Sequence, residues 1–304
     1  MASDIGCVVV TFNRLDKLKK ALASYDSQSL HPAYVMVIDN ASTDGTEAFL
    51  AQWQSEPAPY RKMVHRLAQN CGGSGGFHEG QRLALQQEAG WILLADDDAY
   101  LPENFTETVQ RYIDTHATDD ISAICGTVTQ NGAVSGIHRR LCSRFPAIKW
   151  DRKPTPQEYA REEFDIDLVS FVGAVISKDK LKKAGLAPRD YFIWFDDTEN
   201  SLCLRKDGRI VCLSGIPIVH DVAPGQYDQT SFKRYYGVRN RLLLLKKHKP
   251  ARFLEYIVLE LLMAFYEGVL RLRPKEIPLR LAGIRDGILG RTGVHPVYKP
   301  GWKP

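Results

Sequence analysis

The chain has 304 residues, 44% of them hydrophobic and 25% charged; these ordinary globular proportions exclude a disordered or fibrous chain and suit one large domain, or one domain with an appendage. The net charge of +4 is unevenly spread: residues 231–304 hold 16 Lys+Arg against 5 Asp+Glu, leaving 24 against 31 in residues 1–230, so a tail near +11 follows a body near −7. No run reaches 18 apolar residues, the start MASDIGCVVVTFNR lacks a basic flank, and the six cysteines form no CxxC pair, which predicts a cytosolic chain with reduced thiols, neither secreted nor membrane-spanning.

In chain order, the β-branched run from Cys7 to Thr11 (CVVVT) predicts a strand, and Leu15, Leu18 and Leu22 then recur on one helical face. A second strand, Tyr34 to Ile38 (YVMVI), runs into Asp39-Asn40, and the capping residues of ASTDGT open a helix through Phe49 and Trp53. Asn70 precedes four glycines in five residues (GGSGG), read as a loop before a helix from Glu79 to Glu88. Such a loop either lets a ligand approach the backbone closely or is simply a flexible helix entry, and it is neither a Walker motif nor GxGxxG. The third strand, Trp91 to Ala95 (WILLA), stops at Asp96-Asp97-Asp98. Alternating elements with apolar, non-alternating strands predict a mostly parallel sheet flanked by helices, with the ligand site beyond the carboxyl ends of the strands. Residues Asn131 to Tyr159 read as a long connection; Phe171 to Ser177 and Ile210 to Leu213 read as strands, and Thr198 to Lys206 as a helix stopped by Gly208.

Three adjacent carboxylates at a strand end repel one another. Alternation places Asp96 and Asp98 on one face and Asp97 on the other, so a hard divalent ion shared with a nucleotide diphosphate would relieve the conflict; taken alone, the triplet reads as an acidic solvated turn. In Phe192-Ile-Trp-Phe-Asp-Asp-Thr-Glu199 the acids either cap a helix or, partly desolvated beside Trp194 and Phe195, supply a general base. His220 ends another apolar run, where imidazole can complete a cation site or serve as a structural hydrogen-bonding group; His65, His78 and His138 have no comparable context. Ser231 to Leu245 mixes cations with paired tyrosines, to grip phosphates or to pack a helix. Phe253 to Leu272 is apolar on more than one helical face but interrupted by Glu255, Glu260 and Glu267, then followed by Arg271, Arg273 and Lys275. At about +3 kcal/mol per central acid a bilayer span is disfavoured, which leaves peripheral contact with an anionic membrane, packing on the body, or a homo-oligomer contact. Cations interleaved with leucines, not with stacking aromatics, argue against nucleic acid.

Taken together, VVVTFNR, VIDNASTDGT, NCGGSGGF, LLADDD, WFDDTE and IVHD, in that order, resemble the family 2 inverting glycosyltransferases of GT-A fold. Similarity is greatest to bacterial galactofuranosyltransferases, with rhamnosyltransferases of cell-surface polysaccharide synthesis as near relatives. The resemblance spans residues 5–225, and YYGVRNRLLL and GIRDGILGR are similar to the tails of that group. It implies a GT-A domain in residues 1–230 and a basic, helical extension in residues 231–304. It places Thr11, Arg14, Asp39, Asn40 and Asp97 at the nucleotide, and Asn70, Gly72, Gly73, Ser74, Gly75 and Gly76 near the donor sugar and its phosphates. Asp96, Asp98 and His220 are expected to hold Mn²⁺ or Mg²⁺, Asp197 to act as the base, and Trp194, Asp196 and Glu199 to meet the acceptor. The implied reaction moves galactofuranose from UDP-galactofuranose to a hydroxyl of a lipid-linked or polysaccharide acceptor, in the cytoplasm or at the inner membrane face. The rivals are a dTDP-rhamnose-dependent transferase and a non-catalytic carbohydrate- or nucleotide-binding module. Large galactofuran polymerases of the group carry an N-terminal β-rich domain, whereas here a strand begins within ten residues of Met1, so addition of one or a few sugars is expected.

Overall fold

A computed structural model describes residues 3–143, 151–222 and 232–302. The chain divides into two compact units: Met1–Asn70, Gly76–Ala187 and Asn200–Val222 form the first, and Cys71–Gly75, Pro188–Glu199 and Ala223–Pro304 the second.

The first unit holds strands β1 (Ile5–Thr11), β2 (Tyr34–Asp39), β3 (Arg61–Arg66), β4 (Trp91–Asp96), β5 (Ala99–Tyr100), β6 (Ile121–Gln130), β7 (Ala133–Val134), β8 (Arg139–Cys142), β9 (Asp151–Arg152), β10 (Glu163–Ile166), β11 (Leu168–Val169), β12 (Ala174–Ser177) and β13 (Arg209–His220). The main sheet runs β10-β13-β6-β12-β4-β1-β2-β3, while β8, β9 and β11 form a small separate sheet. β4-β1-β2-β3 and the β13/β6 pair are parallel, and β12 lies antiparallel between β4 and β6. The expected mostly parallel sheet is therefore present, with one reversed strand in the middle.

Burial on both faces explains why the strands read as unbroken apolar runs. Ile5, Cys7 and Val9 of β1 enter one core, together with Leu18 and Leu22 of α1 (Leu15–Asp26) and Leu50 of α2 (Thr46–Ser55). Val8 and Val10 enter the other, with Phe77 of α3 (Gly72–Ala84). Several elements escaped the sequence reading, among them α6 (Lys178–Ala184), capped by Ser177, and three others. β3 is an edge strand of charged and half-exposed residues, β6 is built largely from small and polar residues, and α4 (Phe105–Thr115) has only a narrow apolar stripe, with Phe105, Val109 and Tyr112 buried.

The largest departure concerns the glycines. Residues from Gly72 onward are the first turns of α3, which ends at Ala84 and not at Glu88. Glycine costs a helix about 1 kcal/mol per residue, so propensity argues for a loop. Packing overrides it: a Cβ at Gly76 would stand 2.5 Å from Val10 Cγ1, and one at Gly80 2.4 Å from Val8 Cγ1, so α3 approaches β1 at a distance only glycine permits. The long connection expected over Asn131 to Tyr159 contains β7, β8, β9 and the short α5 (Pro156–Tyr159); residues 144–150 lie outside the described residues.

In the second unit, α8 (Lys233–His248), α9 (Phe253–Phe265) and α10 (Glu276–Leu289) pack on one another. Tyr235 and Tyr236 of α8 join Phe192, Leu279 and Tyr298 in a core, so the paired tyrosines pack a helix and do not face solvent. Cβ atoms at Gly283 and Gly287 would stand 2.9 Å and 2.7 Å from Val238 and Leu242, which explains GIRDGILGR as the close-contact stripe of α10 against α8. Ser231 and the boundary expected at residues 230–231 lie outside the described residues.

Candidate active site

The carboxyl end of β4 delivers the acidic triplet of the first unit. Asp97 and Asp98 are both buried, and each is matched by donors: Thr11 Oγ1 donates to Asp97 Oδ2 at 2.8 Å, and Arg14 Nη1 reaches Asp97 Oδ1 at 3.2 Å and Asp98 Oδ2 at 2.7 Å. His220, at the end of β13, places Nε2 3.1 Å from Asp98 Oδ1. Ligand atoms from Asp96, Asp98 and His220 lie within 4.8 Å of one another. Two carboxylates and one imidazole are a donor set that fits Mn²⁺ or Mg²⁺. Asp97 is turned away from that group toward Thr11 and Phe12, whose N–H donates to it at 3.4 Å.

The charges make the same distinction. Burial pushes the Asp97 carboxyl up to about 6 against the pull of Arg14. Burial also opposes ionisation of Asp98, but His220, Arg14 and Lys17 more than offset it and hold Asp98 below the usual carboxylate range. Asp98 is thus kept as an anion, the form a metal needs.

Behind His220 stand two groups that no sequence spacing announces. The Gln130 amide nitrogen lies 2.9 Å from His220 Nδ1 and 3.1 Å from His138 Nε2, and His138 Nδ1 is 2.9 Å from Ser170 Oγ. They fix the plane of the His220 ring, as outer partners of a ligating histidine do. At the end of β2, Asp39 is buried, accepts from Ser42 N at 2.9 Å and pairs with Arg66, while Asn40 N donates to Thr11 O at 2.9 Å. Arg66 was also unannounced, because it ends a strand that carries no apolar signature.

The second unit contains the FIWFDDTE segment and the first turn of α3. Phe192, Trp194 and Phe195 all adopt positive φ, of 67°, 68° and 70°. Left-handed backbone costs a non-glycine residue about 1–2 kcal/mol, so three in four positions require outside support. Asn240 of α8 supplies it, donating from Nδ2 to the carbonyls of Tyr191, Ile193 and Trp194 at 2.9, 2.9 and 3.0 Å, while Arg239 donates to Tyr191 O at 2.9 Å. An Asn buried mid-helix among leucines was the available signal, since that residue seldom favours a helix interior without a specific polar partner. Gly72, at φ +73°, lies under Phe192 O, where a Cβ would be 1.9 Å away, and Ser74 N donates to the same oxygen at 3.3 Å. Gly75 is crowded by Cys71, whereas Gly73 has open space above it. Asn70 is half-buried directly ahead of this turn.

This strained loop feeds α7 (Asp196–Leu204), so Asp196, Asp197 and Glu199 occupy its first turn. Their environments differ. Asp197 is half-buried and accepts from Thr198 N at 2.5 Å and Thr198 Oγ1 at 3.0 Å. Glu199 is buried and engaged by the protein itself: Tyr191 OH donates to it, Lys247 Nζ stands 2.5 Å away and His248 Nε2 3.6 Å. Burial would raise its carboxyl, but His248, Lys247 and Tyr191 hold it near 2. Its oxygens are therefore engaged by Tyr191 and by the end of α8 within the second unit.

Asp196 is buried beside Asp197, and desolvation together with that neighbouring charge pushes it from 3.8 to about 7. Between those values the folded state keeps a proton that the unfolded state releases, so this group's contribution to stability falls as pH rises through about 7. Asp196→Asn should accordingly gain stability over wild type progressively from about pH 4 to pH 7 and level off above, read as a difference in urea midpoint that widens over that window. A difference that stays constant over that range would remove Asp196 as the titrating group.

The model of the family described as Glycosyl transferase family 2 matches residues 7–185. A protein named galactofuranosyltransferase GlfT1, from Mycobacterium tuberculosis, is 26% identical over 263 residues, covering 81% of this chain and 84% of its own length. A dTDP-rhamnosyl transferase named RfbF, from Shigella flexneri, is 25% identical over 313 residues, covering 95% and 98%. Among solved structures, S. aureus TarS 1-349 in complex with UDP-GlcNAc superposes with a TM-score of 0.61 at 17% identity, covering 95% of this chain and 81% of that one. The mannosyltransferase PcManGT from Pyrobaculum calidifontis, in complex with GDP-Man and Mn²⁺, gives 0.56 at 15%, covering 97% and 77%. In a further TarS structure the chain spans about half, 49%, of that chain.

Proposed function

Because the chain belongs to glycosyl transferase family 2, we propose that it moves galactofuranose from UDP-galactofuranose to a hydroxyl of a lipid-linked or polysaccharide acceptor in cell-surface glycan synthesis, inverting the anomeric carbon. The observation that carries this reading is the convergence of Asp96, Asp98 and His220 at the carboxyl ends of β4 and β13. The likeness to GlfT1 supports the sugar. A second donor, dTDP-rhamnose, is favoured by the RfbF match, which extends over nearly the whole chain.

In this mechanism Asp96, Asp98 and His220 hold Mn²⁺ or Mg²⁺, which when bound supplies Lewis-acid neutralisation of the diphosphate leaving group. Arg14, already spanning Asp97 and Asp98, adds a second positive charge on that side. Thr11, Asp39, Asn40 and Asp97 set the nucleotide, while Asn70, Gly73 and the neighbouring backbone of Gly72, Ser74, Gly75 and Gly76 border the sugar and its phosphates. Asp197 takes the proton from the attacking hydroxyl, and Trp194 and Asp196 shape the acceptor side. Residues 231–304 act as a helical extension of the GT-A body. The protein works in the cytoplasm or on the inner membrane face, and no described helix is long and apolar enough to cross a membrane.

Incubation with UDP-galactofuranose, UDP-galactopyranose and dTDP-rhamnose on short acceptors, read by mass spectrometry, decides the donor. A product from the first alone, with inverted configuration by NMR, is the expected outcome. Transfer only from dTDP-rhamnose would replace the sugar, retained configuration would remove the single-displacement mechanism, and neither transfer nor hydrolysis of any donor would favour a binding module.

A further inference from the structure

On α9 and the π-helical turn that continues it, Tyr266–Leu270, the usual polarity of a surface helix is reversed. Tyr256, Glu260, Ala264 and Gly268, four residues apart, are buried: Arg241 stacks over Tyr256, Arg280 pairs with Glu260, and a Cβ at Gly268 would meet Ile277 at 2.2 Å. The outward stripe is Leu254, Val258, Leu262, Phe265, Val269 and Leu272, each between 46% and 84% exposed. Spacings of four and three residues keep the first five on one face over a length of about 20 Å, and Leu272 follows just beyond the helical segment. So long an apolar strip in water marks a docking surface.

Charge identifies what covers it. The acids that seemed to interrupt this segment are withdrawn: Glu260 points inward to Arg280, and Glu267 pairs with Arg273 at 3.1 Å. Glu255, at the far end, pairs with Arg252 at 3.2 Å. Beyond Leu270 the exposed charges Arg271, Arg273 and Lys275 are all cationic, and with Arg273 partly offset by Glu267 they leave a net positive charge carried by Arg271 and Lys275. A second copy laid antiparallel would offer those cations only the Glu255 end, already paired, whereas a lipid surface supplies both acyl chains for the stripe and phosphates for the cations.

We propose that this face is the membrane-binding surface of the protein, α9 lying in the plane of an anionic phospholipid bilayer with the stripe among the acyl chains and Arg271, Arg273 and Lys275 at the headgroups. It deepens the membrane-side reading above and is independent of the donor, because binding to lipid requires no sugar nucleotide.

The test is flotation of the full chain with vesicles of phosphatidylcholine, alone or mixed with phosphatidylglycerol. Wild type should float with the anionic vesicles and lose most binding at high salt. Leu262→Ser with Phe265→Ser should reduce that fraction at least about tenfold while UDP binding and the thermal melt stay unchanged. Arg271→Glu with Arg273→Glu should lower binding to anionic vesicles about tenfold and leave neutral vesicles unaffected, and it decides the matter if the apolar pair fails to fold. Wild type remaining in the unbound fraction, or both variants floating like wild type, overturns the proposal. So does a wild-type dimer in sedimentation that Leu262→Ser with Phe265→Ser dissociates, since the stripe would then join two copies. Loss of donor turnover with normal flotation would instead fault the sugar assignment alone.

Discussion

Asp197→Ala should lower turnover by about 10²-fold or more, while UDP binding remains within a few-fold of wild type. The expectation follows from how differently the three acids of α7 are employed. Glu199 is saturated by Tyr191, Lys247 and His248 and is held near 2, too weak a base to take an alcohol proton. Asp196 is pushed up to about 7, a value suited to a base, but it is buried at 6% exposure, where an acceptor hydroxyl has less access than at the half-buried Asp197. Asp197 is half-buried, accepts from Thr198 N and Oγ1 at Oδ1, and follows a loop with positive φ at Phe192, Trp194 and Phe195 in which Asn240 holds the carbonyls of Tyr191, Ile193 and Trp194. A loop kept in that conformation against about 1–2 kcal/mol per residue fixes the position of one side chain. Steady-state kinetics with Asp197→Ala, Asp197→Asn and Glu199→Gln side by side check it. Near-normal turnover in Asp197→Ala, or a larger loss in Glu199→Gln, would transfer the base to another group.

The second large effect concerns the cation. Transfer should vanish in EDTA and return on addition of Mn²⁺ or Mg²⁺, and Asp98→Asn should fail to recover at any practical metal concentration. Asp98 carries more of the site than its neighbours: it meets His220 at 3.1 Å and Arg14 at 2.7 Å, and its surroundings keep it ionised. The asparagine side chain retains the shape but removes the charge that would balance a divalent ion, and it leaves Arg14 and Lys17 facing each other with less compensation. Titration with Mn²⁺ by electron paramagnetic resonance gives a readout besides activity, in which wild type binds and Asp98→Asn does not. Full transfer in chelator would refute the metal site, with the family membership untouched.

Much of the sheet could be read from the chain. Runs such as CVVVT, YVMVI and WILLA are buried on both faces, and a strand without polar alternation is what such burial demands. The acidic triplet and IVHD were legible for a related reason, since polar residues that abruptly end an apolar strand have few purposes other than a site or a turn. The tail was less legible, because a helix whose leucines face both inward and outward loses the one-sided pattern that periodicity detects.

What the amino-acid order determined by itself was therefore the β/α alternation, the strand ends and the residue types gathered there. Tertiary structure alone decided the rest: that the glycines are the start of a helix pressed on Val8 and Val10, that Gln130 and His138 stand behind His220, that Glu199 is consumed by Lys247 and His248, and that Asn240 holds the loop ahead of Asp197. The reason is physical. Local propensity and periodicity act over a few residues, whereas the contacts to His220, Glu199 and the loop join positions 46 to 90 residues apart, and the glycine positions depend on how closely two backbones approach, which no window of sequence contains.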